Sequence, residues 1–255
     1  MTDLTGKVVL VTGASKGIGA EIAAAIGRAG AHVIAHYGGD RDGAIESTKA
    51  LTRDRVKLIG ADLKDKAAVD RLWNQSLAWR GHIDVVVNNA AVMRIAGGID
   101  DSDENWDAVW DESLQVNVLA PVRLMRNAVR HYLERGGGTL ITISSWAAQR
   151  GPGNPALLAY AASKGAVLSA TKTIARNYAN KNVLAYVIAP GVVQTRLSEQ
   201  AAAAAGGVAA FTANLAMGEW VPPSDIGALA AFLAGGACRH LTGATLDVNG
   251  ASYIR

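Results

Sequence analysis

The sequence is poor in cysteine and in charge, and both shortages exclude classes of protein. Cys238 is the single cysteine among 255 residues, so no internal disulfide is possible. Its apolar surroundings predict a small core side chain. Only 18% of the residues are charged, and the net charge of +3 is scattered, which argues against nucleic acid or a membrane surface as a partner. The five histidines show no metal-ligand spacing, so no metal site is expected.

Long hydrophobic runs are also missing. The most apolar late stretch, residues 200–217, is mainly alanine and is interrupted by glycine, threonine and asparagine, which is too weak for a membrane-spanning helix. Residues 1–7 lack the charged, apolar and small-residue sections of a signal peptide. Half of the residues are hydrophobic all the same, which indicates a compact globular protein. We therefore expect a soluble, cytoplasmic protein.

Short apolar runs alternate with helical patterns along the whole chain. Continuous apolar runs bounded by glycine are typical of strands buried on both faces of a parallel sheet. Strands are predicted at 7–12, 32–37, 56–61, 83–88, 139–144, 183–188 and 245–248. Helices are predicted at 17–29, 42–53, 64–79, 104–133, 156–179 and 224–234. With right-handed crossovers, this alternation predicts an α/β fold: a single doubly wound Rossmann-type domain over residues 1–255, with a parallel sheet of about seven strands and helices on both faces.

A glycine-rich turn, Thr-Gly-Ala-Ser-Lys-Gly-Ile-Gly at residues 12–19, lies between the first predicted strand and the first predicted helix. Small residues let the backbone approach a diphosphate, and the helix N-terminus offers free N–H groups to it. A tight turn alone also favours glycine, and the spacing here is G-x-x-x-G-x-G. At the first strand-to-helix junction, the pattern favours a dinucleotide site.

Tyr160 and Lys164 are four residues apart in a predicted helix, so both side chains lie on one face of it. A cation about 4 Å from the phenol, at an effective dielectric near 20, favours the phenolate by about 4 kcal/mol, or about three pKa units. Such a tyrosine exchanges protons near neutral pH. By itself, however, the spacing is equally that of an ordinary helical pair with Tyr160 at a core edge and Lys164 in water.

The order of the motifs along the chain resembles that of the short-chain dehydrogenase/reductase family over nearly its whole length. The motifs are the turn at 12–19, Asn88-Asn89-Ala90-Ala91 after the fourth strand, Asn117 in a long helix, Ser144-Ser145 after the fifth strand, Tyr160-x-x-x-Lys164, and Pro190 to Thr195 after the sixth strand. The sequence departs from the common pattern at Ala91, where glycine is usual, and at Asn249-Gly250-Ala251. It also has fourteen residues between Ser145 and Tyr160, more than is usual in the family.

The resemblance implies a catalytic tetrad of Asn117, Ser145, Tyr160 and Lys164. Tyr160 would be the general acid in reduction and the general base in oxidation, and Lys164 would lower its pKa and bind the nicotinamide ribose. Ser145 would hold the substrate oxygen, and Asn117 would keep a water in a proton relay. On the residues alone, Asn117 also fits a polar helix position and Ser145 a strand-end turn.

The resemblance also implies the residues that contact the cofactor. They are Gly13, Ser15, Lys16, Gly17, Ile18, Gly19, Tyr37, Asp62, Leu63, Asn89, Ala90, Tyr160, Lys164, Pro190, Gly191, Val193 and Thr195. Thr195 would bind the nicotinamide carboxamide, cap a helix, or do both. NAD-specific enzymes carry a carboxylate at the end of the second strand, where this chain has Tyr37 and no acid before Asp40. Because Lys16 and Arg41 can neutralise a 2′-phosphate, NADP(H) is favoured, with NAD(H) as the alternative.

Residues 195–220 are expected to form the substrate loop. Trp146 and Trp220 would line the pocket or pack in the core, and Arg94, Arg150 and Arg196 would bind an acidic substrate or face water. With few charges in this region, the expected substrate is a mostly neutral ketone, aldehyde or secondary alcohol; the sequence does not identify which.

Three function classes compete for this sequence. A hydride-transferring dehydrogenase or ketoreductase is favoured because Ser145, Tyr160 and Lys164 are all present. A catalytically silent dinucleotide-sensing protein could lose those side chains. Epimerases and dehydratases of the longer relatives carry a C-terminal domain for which 255 residues leave no room. By resemblance a homotetramer is expected, with the tail at 251–255 in one interface.

Overall fold

The computed structural model describes residues 2–204 and 206–254. Ala205 of the predicted substrate loop and Arg255 of the predicted tetramer tail lie outside the described residues. The strands are β1 (Val8–Val11), β2 (His32–Tyr37), β3 (Val56–Gly60), β4 (Val85–Asn88), β5 (Gly138–Ile143), β6 (Val183–Pro190) and β7 (Thr245–Val248). The α-helices are α1 (Gly17–Arg28), α2 (Arg41–Thr48), α3 (Lys66–Arg80), α4 (Asp103–Leu114), α5 (Ala120–Arg135), α6 (Ala147–Arg150), α7 (Leu158–Tyr178), α8 (Arg196–Ala204), α9 (Val208–Ala213) and α10 (Pro223–Gly235).

All seven strands form one parallel sheet in the order β3-β2-β1-β4-β5-β6-β7. The order reverses between β1 and β4, so the chain leaves these two neighbours toward opposite flanks of the sheet. In doubly wound sheets this switch point, at the carboxyl ends of the strands, is where ligands bind. The predicted fold is confirmed, and the glycine-rich turn after β1 lies at the switch point.

Two apolar cores cover the two faces of the sheet. Val9 and Val11 of β1 face a core with α1 and α10, whereas Val8 and Leu10 face a core with α3, α5 and α7. Every residue of β1 is therefore buried, as the continuous apolar run predicted. Burial of this kind contributes about 25 cal/mol per Å² of apolar surface, which holds the strand ends in place beneath the site.

The predicted helix over 104–133 is in fact two helices, α4 and α5, joined by a π-helical turn at Gln115–Leu119. In this turn the Ala120 N–H donates to the Gln115 carbonyl, five residues earlier. Pro121 follows in the first turn of α5. Because proline has no N–H, the Asn117 carbonyl four residues earlier receives no helical hydrogen bond from it. The long helical segment predicted over 104–133 is therefore present, with a π-helical turn inside it.

The predictions for the environment of Cys238 and for the conformation of the substrate loop are corrected. Cys238 is exposed and not a core residue, because α10 ends before it and a surface 3₁₀ turn, Arg239–Leu241, follows it. The substrate loop is largely helical, since α8 and α9 occupy most of 196–213 among the described residues. Alanine, which is frequent in this segment, is a strong helix former.

No helix in the described part of the chain is long and apolar enough to cross a membrane.

Candidate active site

The glycine-rich turn is packed too closely to accept side chains at its glycines. A Cβ on Gly19 would lie 2.0 Å from the Gly13 carbonyl oxygen, and a Cβ on Gly17 would lie 3.1 Å from the Thr195 side chain. Gly17 also has a φ of +55°, which other residues rarely adopt. Lys16 is the N-cap residue of α1, and its side chain accepts no hydrogen bond from the first turn, so it does not block the first N–H groups of the helix. This turn fits a diphosphate, because the backbone is bare and the helix N-terminus is open.

Residues after β4 hold the turn in place. The Asn89 side chain donates to the carbonyls of Thr12, at 2.9 Å, and Gly13, at 3.2 Å. The Thr12 hydroxyl in turn accepts from the backbone N–H groups of Asn89 and Ala90, at 2.9 and 3.1 Å. Asn89 therefore has a structural function in the turn, and Thr12 is a site-building residue that sequence reasoning named only as part of the motif.

The segment after β2 carries exposed cations, and its first carboxylate, that of Asp40, is already engaged. Asp40 caps α2, with its carboxylate accepting from the Gly43 N–H at 2.9 Å and its carbonyl accepting from the Ser15 hydroxyl at 2.7 Å. Lys16 and Arg41 are exposed on either side of this link. The Tyr37 ring packs against Gly60 of β3, 3.0 Å from the position of a Cβ there.

A cavity of about 310 Å³ adjoins the end of β3 and is lined by Gly38, Asp62, Asp65 and Arg71 among others. The structure thus brings Asp62 beside the end of β2, as the resemblance implies for an adenine contact. Leu63, in contrast, buries its side chain in the core, and its carbonyl accepts from the Gln115 amide at 3.3 Å.

Ser144 and Ser145, after β5, have different environments. The Ser144 hydroxyl donates to the Lys164 carbonyl at 2.9 Å and so fastens α7 to the sheet. The Ser145 hydroxyl accepts from the Ala147 N–H at 3.1 Å and lies close enough to the Tyr160 phenol to lower its pKa. Of the two serines, Ser145 is therefore the one beside the Tyr160 phenol, which agrees with its prediction as the substrate-binding serine.

Tyr160 and Lys164 share one face of α7, as their spacing predicted. The Lys164 ammonium lies 5.8 Å from the Tyr160 ring centroid and donates to the Ile143 carbonyl at 2.9 Å. Lys164 is 5% exposed, and burial lowers its pKa to about 8. Burial raises the pKa of Tyr160, opposed by Ser145. The predicted lowering of the Tyr160 pKa by Lys164 is therefore corrected: burial has the largest effect on this pKa, and the effect that opposes it comes from the Ser145 hydroxyl.

The Asn117 side chain makes three hydrogen bonds in the π-helical turn. Its Oδ1 accepts from the Val92 N–H at 2.8 Å, and its Nδ2 donates to the Val92 carbonyl at 2.8 Å and to the Ser163 hydroxyl at 3.0 Å. Ser163 donates onward to the Tyr160 carbonyl at 2.7 Å. Asn117 thus joins the segment after β4 to the catalytic helix through Ser163, a residue that sequence reasoning did not single out.

Residues after β6 close the site on the other side. The Pro190 carbonyl accepts from the Trp146 N–H at 3.0 Å, and Gly191 approaches Asn249 so closely that a Cβ would lie 2.7 Å from its side chain. Val193 is buried in the core. The Thr195 hydroxyl accepts from the Ser198 N–H at 3.3 Å, which is the capping function foreseen for it at the start of α8.

The arginines near the predicted pocket differ in their availability. Arg94 pairs with Glu112 at 2.6 Å, and Lys64 pairs with the same carboxylate at 2.6 Å. The Arg94 hydrogen bond is the main reason that the Glu112 pKa falls to about 2, so Arg94 is neutralised. Arg150 instead stacks on the Trp146 ring, 4.3 Å from its centroid, next to Ser145. Trp220 donates from Nε1 to the Thr212 hydroxyl at 2.7 Å and stiffens the α9 segment.

Comparisons with known proteins agree with this geometry. A family model described as Enoyl-(Acyl carrier protein) reductase matches residues 13–251. A 3beta-hydroxysteroid dehydrogenase 1 from Eggerthella lenta is 34% identical over 257 residues, covering 97% of this chain and 94% of the relative. Two solved structures each superpose on this chain with a TM-score of 0.86. One is a short chain dehydrogenase from Burkholderia cenocepacia in complex with NADP, which is 31% identical, and the match covers 98% of both chains. The other is a 3-ketoacyl-(acyl-carrier-protein) reductase from Brucella melitensis complexed with NADH, which is 28% identical, and the match covers 99% of this chain and 100% of that one.

Fold, site and relatives together define a nicotinamide-dependent oxidoreductase. The chain belongs to the short-chain dehydrogenase/reductase family. It transfers a hydride between a nicotinamide dinucleotide and a carbonyl or secondary alcohol. Nothing in these relatives favours the alternative of a catalytically silent dinucleotide sensor.

Proposed function

We propose that this enzyme reduces or oxidises its substrate with Tyr160 as general acid and base. The observation that most supports this proposal is that Ser145, Tyr160 and Lys164 lie close together at the carboxyl edge of β5, beside the glycine-rich turn. The supporting chemistry is that hydride transfer leaves charge on the substrate oxygen, which needs a proton and positioned donors.

Each side chain has one task in the proposed mechanism. The bound dinucleotide supplies or accepts the hydride. In reduction, the Tyr160 hydroxyl donates its proton to the substrate oxygen, while the Ser145 hydroxyl donates a hydrogen bond to the same atom. A raised Tyr160 pKa keeps this proton in place until the oxygen becomes basic. The Lys164 ammonium stabilises the phenolate that remains and binds the nicotinamide ribose.

The Asn117 backbone carbonyl is the proposed acceptor for the relay water. Three hydrogen bonds to Val92 and Ser163 commit the side chain to holding the turn. The carbonyl receives no hydrogen bond from Pro121. The side chain then fixes the turn, and the main chain holds the water toward Lys164.

For the cofactor we propose contacts along the carboxyl edge of the sheet and a preference for NADP(H). Residues 13–19 hold the diphosphate, Asp62 lies at the adenine, and the segment from Pro190 to Thr195 lies at the nicotinamide. The preference rests on the exposed cations Lys16 and Arg41 and on Asp40, whose carboxylate is used as the cap of α2. NAD(H) remains the competing cofactor.

Replacing both Lys16 and Arg41 with alanine should lower the ratio of kcat/KM for NADPH over NADH by about tenfold or more, since each charge-assisted contact to a phosphate is worth about 1.5–3 kcal/mol. The rate with NADH should change little. Lys49→Ala, at the other end of α2, is the matched control. An unchanged ratio, or a wild type that prefers NADH, would contradict the preference.

The proposed substrate is a small or medium, mostly neutral ketone, aldehyde or secondary alcohol. Arg94 is neutralised by Glu112, which supports this choice. The single domain over 1–255 would use α8 and α9 as its substrate loop. A panel of such compounds, followed by nicotinamide absorbance, tests the function; absence of turnover with every carbonyl would reject it.

We further propose a cytoplasmic homotetramer. Exposed apolar side chains support it: Leu119 beside α5 and Leu158 on α7 are 50% and 38% exposed, and Phe232 on α10 is 37% exposed. Light scattering at micromolar concentration should give about four times the 26.4 kDa chain mass. A monomer would reject the assembly.

A further inference from the structure

His36, near the end of β2, joins the glycine-rich turn to the end of β3. Its side chain is 2% exposed. Its Nδ1 accepts from the Gly13 N–H at 3.1 Å, and its Nε2 lies 3.0 Å from the Ala61 carbonyl oxygen. Its own carbonyl accepts from the Ala14 N–H at 2.8 Å. One residue therefore holds two successive N–H groups of the turn and also the backbone just before Asp62.

The two contacts determine where the imidazole proton lies. A backbone N–H can only donate, so Nδ1 must be the unprotonated nitrogen. A carbonyl oxygen can only accept, so Nε2 must carry the hydrogen. Both contacts are satisfied by the neutral ring alone, because a second proton on Nδ1 would face the Gly13 N–H.

We propose that His36 is a positioning residue for the dinucleotide, setting the glycine-rich turn at a fixed distance from the backbone beside Asp62. The turn and Asp62 are the proposed walls for the diphosphate and the adenine, so this inference rests on the proposed cofactor contacts. His36 itself touches neither the reacting atoms nor the substrate oxygen. Its loss acts on cofactor affinity and leaves the chemical step in place.

The protonation of His36 gives the proposal a pH signature. Burial lowers the pKa of His36 below 6.5, and the Ala61 carbonyl opposes this shift. The charged groups that line the adjacent cavity are Asp62 and Asp65 after β3 and Arg71 on α3; Asp65 and Arg71 pair at 3.1 Å. Because the folded pKa lies below the unfolded value, the stabilising contacts are complete above pH 6.5 and are lost as pH falls through the folded pKa.

Two substitutions separate the contacts. In His36→Asn, the amide oxygen stands as many bonds from Cα as Nδ1, so it can still accept from the Gly13 N–H. In His36→Gln, the amide nitrogen matches Nε2, so it can still donate to Ala61, while the Gly13 N–H loses its acceptor. Dissociation constants for NADPH and NADH by fluorescence titration, kcat at saturating cofactor, and melting temperatures are measured for both.

Each variant keeps one contact and breaks the link between the turn and Ala61, so each should raise both dissociation constants about tenfold or more, with kcat at saturation retained in both. As pH falls through the folded-state pKa of His36, which lies below 6.5, the wild type should lose affinity for NADH, which has no 2′-phosphate to titrate, and His36→Asn should not. A dissociation constant within about threefold of the wild-type value in either variant, or the same pH dependence in His36→Asn as in the wild type, would overturn the inference while leaving the proposed reaction intact. A wild type that binds neither dinucleotide would overturn both.

Discussion

Tyr160→Phe should lower kcat about a thousandfold with any substrate that the wild type turns over, within the 10²–10⁴-fold range of general acid–base catalysis. The substitution removes one oxygen and keeps the ring. The Lys164 contact to Ile143 and the Ser144 contact to α7 do not involve that oxygen, so the site keeps its shape. The dissociation constant for the dinucleotide should therefore stay within a few fold of the wild-type value.

Tyr178→Phe is the matched control, since it removes the same oxygen from a partly buried tyrosine at the end of the same helix. It should leave kcat unchanged. Turnover by Tyr160→Phe at the wild-type rate would show that the proton comes from another group, and the mechanism would fall even if the dinucleotide still bound.

The direction of the Tyr160 pKa shift predicts how the two reactions depend on pH. Burial raises the pKa, so the phenol keeps its proton through neutral pH. Reduction uses the protonated form and should hold its rate toward acidic pH, whereas oxidation uses the phenolate and should speed up as pH rises. Rate profiles in both directions between pH 6 and 10 test this, and parallel profiles would contradict it.

Lys164→Met should lower kcat/KM by a hundredfold or more, the second large effect expected. It removes the charge that stabilises the phenolate and the proposed donor to the nicotinamide ribose, so KM for the cofactor should rise as kcat falls. It also leaves the Ile143 carbonyl without its donor. Lys172→Met, an exposed lysine on the same helix, is the control and should have no effect.

The stability of this variant separates function from folding. Burial brings the Lys164 pKa down to about 8, so the folded wild type resists the charged form. As pH falls from the unfolded pKa near 10.5 to the folded pKa near 8, the unfolded chain takes up a proton on Lys164 and the folded chain does not, so the wild type becomes less stable. The Lys164→Met variant has no amine at this position and does not lose stability in this way. The difference in melting temperature should therefore move in favour of Lys164→Met as pH falls over that interval. A large loss of folded protein at pH 7 would mean that the activity loss is structural.

The sequence predicted those features that depend on local pattern. The strands of the buried sheet follow from continuous apolar runs, and the shared face of Tyr160 and Lys164 follows from helical spacing. Pro121 is the signal in the sequence for the irregular turn within the predicted helical segment. The direction of the Tyr160 pKa shift does not follow from the sequence, because the burial that causes it comes from groups that are distant along the chain.

His36 shows a different limit. Histidines were considered only as metal ligands, and a polar side chain in a buried apolar strand was the signal available. Its partners Gly13 and Ala61 lie 23 and 25 residues away, so only the folded sheet brings the three together.

The positions of the contacts around α6 to α9 have an evolutionary consequence. The residues proposed for chemistry are fastened to the sheet by buried hydrogen bonds, whereas the segment at 151–157 and helices α8 and α9 lie mainly at the surface. Surface substitutions usually change stability by no more than about 0.5 kcal/mol. Selection can therefore change these surface segments, which include the proposed substrate loop, at small cost while the residues proposed for chemistry stay constant, and directed evolution of new selectivity should begin there.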